Sequence, residues 1–143
     1  MDLTPQELKK ALASAGFEVY RISGGEVILA DRVRENLILD SGVRVKASPF
    51  QVWLIMGIRR SQYPSDDDGT MFDRVRQLAA PLLSDGFTET GACVAPVLDP
   101  ANSERTLDTF FEVVFSKDEG ALEGALRTLP LALTVAKTAE SRH

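Results

Sequence analysis

Few residues in this chain are equipped for chemistry, and the densest group of them is "SDDDGT", Ser65 to Thr70. Three carboxylates ahead of a glycine invite a calcium reading, because an EF-hand loop places acidic ligands at alternate positions around its glycine. With Gly69 as that glycine, Asp66 and Asp68 become ligands, but Pro64 falls on the first ligand position and Val75 on that of the bidentate glutamate. Asp66 to Asp68 therefore read as an acidic turn that favours the positive end of the helix behind it. The only histidine is His143, the last residue, which leaves imidazole catalysis and Ser-His-Asp triads without a centre. Cys93 is the only cysteine, and in "ACVAPV" it has no neighbouring base, so it reads as a small buried apolar side chain. A single cysteine also allows neither an intramolecular disulfide nor a multi-cysteine metal site. "SGGE" is followed by no Gly-Lys-Ser/Thr and makes no phosphate loop. Asp108 and Glu112 are what a carboxylate-based enzyme would have to use, and no convergent partner for them is visible. The sequence thus offers no catalytic, cofactor-binding or metal residues and implies no cofactor.

Arg59, Arg60, Arg74 and Arg76 form a candidate basic patch, with Tyr63 as its one aromatic. Residues 21–76 carry nine basic and eight acidic groups, so an internally paired surface accounts for these arginines better than a nucleic-acid site. Residues 77–143 carry five basic groups and ten acidic ones, and this half supplies the formal charge of -5. Phosphate backbones and anionic membranes are disfavoured, and a basic or amphipathic polypeptide is the better electrostatic match. The N-terminus lacks the basic and apolar segments of a signal peptide, and no apolar run reaches the roughly 20 residues that span a bilayer, so the expected location is the cytoplasm.

The elements that must position these residues are marked by capping and periodicity. The 143 residues, 44% of them hydrophobic, suit one domain, expected over 1–138 with a frayed tail at 139–143. In "LTPQELKKALASAGF", Thr4 is the N-cap, Pro5 the first helical residue and Glu7 the partner in a capping box, with Gly16 as stop. "FEVYRI" and "EVILA" flank a glycine turn as a hairpin, and "ENLILDSGVRVKA" repeats that pattern after an irregular "DRVRE" connection. Residues 29–37 also fit a helical spacing. A second helix runs from Met71 toward Gly86 and should be kinked or shortened at Pro81. Two strands follow, "TETGACVAPVLD" and "TLDTFFEVVFS", the first placed at a sheet edge by Pro96. Ser116 and Glu119 form a second capping box for a last helix containing Pro130. The expectation is an α+β fold: an antiparallel sheet of about five strands with three helices, in the order α-β-β-β-α-β-β-α.

"LTPQELKKALASAGFEV" followed by a glycine turn and "EVILA", then "QVWLIMGI", "MFDRVRQLAAPLLSDGF", and "TFFEVVFS" leading into "ALEGALRTLPLALTVAK" together resemble the type III secretion chaperone-like fold, a group that includes the bacterial YbjN-type domains. The resemblance implies a small acidic homodimer that binds another polypeptide and performs no catalysis. The roadblock or longin-like scaffold of small-GTPase regulators is the alternative, with two strands before its middle helix and three after.

One strand bears directly on that expectation. In "QVWLIMGIRR", Val52, Leu54, Met56 and Ile58 point one way and Trp53, Ile55 and Gly57 the other, so both faces are apolar. The first set is expected under the helices. Trp53 and Ile55, with Phe110 and Val114, are then either an apolar patch and the expected protein interface, which a second copy of the chain would cover, or ordinary core buried inside a curled sheet.

Overall fold

The computed structural model describes residues 3–139. Helix α1 spans Pro5–Ser14 and is followed by strands β1 (Val19–Ser23), β2 (Glu26–Arg34), β3 (Leu37–Lys46) and β4 (Gln51–Arg59). A 3-10 turn at Arg60–Gln62 leads to α2 (Asp68–Leu78) and α3 (Ala80–Ser84), then β5 (Thr88–Asp99), β6 (Asn102–Asp118) and α4 (Leu122–Lys137). The six strands make one open antiparallel sheet in the order β1-β2-β3-β4-β6-β5. The α+β class stands, with six strands and four helices in place of about five and three.

Both extra elements have physical causes. "DSG" does not turn the chain. Gly42 takes a left-handed φ of 87° inside β3, where a Cβ would collide with the Ile55 carbonyl oxygen, so the strand runs on through it as a bulge. "ADRVR" is therefore neither irregular nor helical but the far half of β2, and the chain turns at Glu35 and Asn36. Pro81 shortens the second helix as expected: α2 ends at Leu78, and α3 starts anew with the proline in its first turn, where a missing N–H goes unnoticed.

The first capping box forms as read, with the Glu7 amide donating to Thr4 Oγ1 at 3.1 Å and the Thr4 amide to Glu7 Oε1 at 3.0 Å. The second does not. Ser116 pairs with Trp53 inside β6, and α4 begins only at Leu122 behind Ala121, which offers no side-chain cap. Glu119 instead turns back to accept from Thr128 Oγ1 at 2.6 Å. Ala139, expected in the tail, is buried against the core; residues 140–143, His143 among them, lie outside the described residues.

Leu8, Leu12, Met71, Val75, Leu82, Leu129 and Val135 bring all four helices into one core with Leu54, Met56, Phe111, Val113 and Phe115 of the sheet. Val52, Leu54 and Met56 are fully buried in it and Ile58 is 4% exposed, as the alternation in β4 required. Because every helix packs on this one face, no helix covers the other among the described residues.

Candidate protein-interaction face

The second face of the sheet is built from the outward positions of β3, β4, β6 and β5. Register carries the argument from strand to strand: Arg44 pairs with Trp53 and Trp53 with Ser116, Ile55 with Val114 and Val114 with Gly91, and Arg59 with Phe110. Cross-strand partners share a face, so these side chains form one surface. Trp53, Ile55 and Val114 are each half-buried there. The expected patch residues are therefore brought together, with one difference. Phe110 is only 8% exposed within its own chain, because its ring lies over Gly57, where any Cβ would run into that ring and into the Phe111 carbonyl oxygen. Phe110 fills the gap a glycine leaves in a strand.

Trp53 is held rather than loose. Its indole N–H donates to Gln51 Oε1 at 3.1 Å, the Gln51 amide donates onward to Asp118 Oδ1 at 2.7 Å, and the Lys46 ammonium lies 4.6 Å from the ring centroid. A tryptophan fixed at its polar end while part of its ring meets solvent suits recognition, since little rotamer freedom is left to lose on contact. Beside it, Arg44 is tied to Asp40 at 2.9 Å.

The two carboxylates available to an enzyme lie on this same face of β6. Asp108 accepts from the Ser61 amide at 3.1 Å, from the Ser61 hydroxyl and from the Thr109 amide at 2.8 Å. Burial pushes its carboxyl up, but the bonds from Ser61 and Thr109 and the nearby Arg59 outweigh this and hold it below the usual carboxylate range. That direction opposes what a general acid needs. Glu112 sits opposite Gly57 on one side and Cys93 on the other, and Cys93 is exposed in the edge strand rather than buried.

Away from this face, a polar cleft of about 200 Å3 is lined by Asp85, Lys117, Glu119 and Arg127. Burial pushes the Lys117 ammonium down, and its bonds to Asp85 at 3.3 Å and Glu119 at 3.4 Å more than reverse that. The three aspartates are spent on structure. Asp67 caps α2 by accepting from the Thr70 amide at 2.7 Å, Asp66 pairs with Arg74 at 2.6 Å, and Asp68 pairs with Arg60. Arg76 is shared between Asp73 at 2.9 Å and Glu89 at 2.8 Å. The candidate basic patch is thus paired internally. Among the described residues no three His, Cys, Asp or Glu side chains are placed to hold a metal, and no helix is long and apolar enough to cross a membrane.

One part of the surface escaped sequence reading. β6 outruns β4, so beyond Phe110 the β5–β6 ribbon continues without a third strand, and Leu98 and Leu107 on it are 45% and 53% exposed; Val94, opposite Phe111 on the helix side of the edge strand, is 50% exposed. Leu107 falls in a register shift, which takes it out of the alternation that Phe111 and Val113 obey. The signal in the sequence was the length of "TETGACVAPVLD", too long for a strand that merely pairs across a core.

Comparison with protein families, with curated proteins and with solved structures finds no match to the chain.

Proposed function

We propose that the chain is a non-enzymatic protein-binding module, chaperone-like or a regulatory adaptor, whose sheet receives another polypeptide on the face opposite its helices. One observation carries this: an ordered apolar surface around Trp53 and Ile55 on the helix-free side of a sheet whose other side carries all the described helices and the buried core. Contiguous apolar surface of this kind marks interaction sites on proteins that work in water. The acidic C-terminal half suits a basic or amphipathic segment as the partner, and the homodimer is the simplest assembly in which the face is covered. Element order supports the type III secretion chaperone-like pattern over the roadblock or longin-like one, since four strands precede α2 and two follow α3. Work in the cytoplasm belongs to this reading.

The test is retention of a polypeptide from extract of the native host on immobilised protein, wild type against Trp53→Glu, with mass spectrometry of what is held. A partner kept by the wild type and lost by a folded Trp53→Glu variant supports the module. Reproducible recovery of only nucleic acid or a metabolite would sink it.

A further inference from the structure

The uncovered face is not uniformly charged across its width. On β1 to β4 the outward positions hold Arg21, Arg44, Lys46 and Arg59 against Glu26 and the Asp40 already tied to Arg44. On β6, from Asp108 to Asp118, they hold Asp108, Glu112 and Asp118 with no base, and on β5, from Thr88 to Leu98, they hold no charge; at the far end of the ribbon Asp99 and Arg105 pair with each other at 3.9 Å. One side of the face is basic, the other acidic, and the apolar centre of Ile55 and Val114 lies on the seam.

We infer that the occupant of this face is a second copy of the chain, packed face to face about a two-fold axis that runs along the strands between β4 and β6. This deepens the protein-binding reading and rests on it. A two-fold axis between two identical faces can run along the strands or across them. Across them, each strand lies over its own counterpart, so the basic strands β3 and β4 meet β3 and β4 of the other copy while the acidic β6 meets β6, a like-charge arrangement that disfavours association. Along them, β4 lies over β6 of the second copy, and the basic side covers the acidic side.

Side-chain size agrees with the charges. Rotation about the strand direction keeps each residue at its own level, so Trp53 comes over Ser116 of the second copy, Ile55 over Val114, and Arg59 over Phe110 and beside Glu112. The largest side chain of the face meets one of its smallest, and the aliphatic pair meets across the seam. The Phe110 ring, lying flat over Gly57, presents a level apolar floor there. Each outward residue tiles about 30 Å2 of a sheet, which gives roughly 500 Å2 per copy over β3 to β5. That falls below the roughly 800 Å2 per partner of a standard interface, so the dimer should dissociate in the micromolar range.

The test is sedimentation equilibrium on the whole chain from low micromolar to near-millimolar concentration, with circular dichroism to confirm folding. Wild type should dimerise. Glu112→Arg and Arg59→Glu should each weaken self-association at least tenfold, because each homodimer then holds two repulsive contacts. A one-to-one mixture of the two should associate, because both contacts in the heterodimer are attractive. If either variant fails to fold, Lys46→Glu with Asp118→Lys applies the same logic at the other end of the face. A wild type that stays monomeric throughout, or variants that dimerise as before, would overturn the inference. A monomeric wild type that still captures another polypeptide through Trp53 would overturn the self-pairing alone and leave the protein-binding reading standing.

Discussion

Leu54 and Ile55 are neighbours in the chain and live in different chemistries. Leu54 is fully buried among Val43, Phe115 and the helices, in a core built almost wholly of aliphatic and aromatic groups. Ile55 is half-buried between Trp53, Val114 and a glycine, on a face that closes its gaps with a flat ring and a lysine stem. The covered face gains its stability by excluding water. The open face keeps order with less burial, by fixing its large side chains through hydrogen bonds and close stacking, and so leaves part of its apolar surface accessible.

The largest break in that contrast comes from matched truncations. Leu54→Ala should lower stability by about 2–5 kcal/mol, and Ile55→Ala by less than about 1 kcal/mol, in urea melts at concentrations where the protein is monomeric. Equal losses would mean that the second face is core as well. Next is Gly57→Ala, which on the open face should still be expensive, about 1–3 kcal/mol, because the new Cβ meets both the Phe110 ring and the Phe111 backbone. Phe110→Ala in the same chain should recover part of the loss by freeing the ring, while the backbone clash persists. A smaller effect attaches to Lys46→Ala, about 0.5–1 kcal/mol with increased acrylamide quenching of Trp53. Trp53 is the only tryptophan, so its fluorescence reports on the open face alone.

The smallest expected effect is a pH dependence to which carboxyls near α2 contribute. The Thr70 amide bonded to Asp67, and the Arg76 guanidinium bonded to Glu89, hold these two carboxyls below the usual carboxylate range. A group whose folded pKa is depressed takes up its proton first in the unfolded chain as pH falls, so its contribution is present above about pH 4 and is lost below. Asp67→Asn should flatten that acid limb in thermal melts followed between pH 3 and pH 6. An unchanged limb would show that the Asp67 bond does not contribute.

Most of this arrangement was legible from residue order. Thr4, Pro5, Glu7 and Gly16 defined α1 because capping is local and needs no tertiary partner. The alternation of β4 sorted its two faces, and Pro96 put β5 at the edge, its limits Thr88 and Asp99 being those read from the sequence. What failed was non-local. Whether "DSG" turns the chain depends on Gly42 approaching β4, and whether Ser116 caps a helix depends on β6 pairing with Trp53 that far along; neither is visible within a window of a few residues. For the candidate face, Trp53, Ile55 and Val114 could be assembled from periodicity alone. The burial of Phe110 could not, since it comes from a glycine on another strand.

The edge strand sets the dimensionality of whatever the protein assembles into. From Thr90 to Leu98 β5 carries no charge, a run that would otherwise template another strand and another after it. Register shifts near Glu89 and beyond Val97, with Pro96 between them, spoil the regular ladder that such growth needs, and the opposite edge, β1, is five residues long. Lateral addition of strands, which generates open filaments, is disfavoured at both ends of the sheet. Pairing through the face about the inferred two-fold would close on itself, and association would stop at a finite particle.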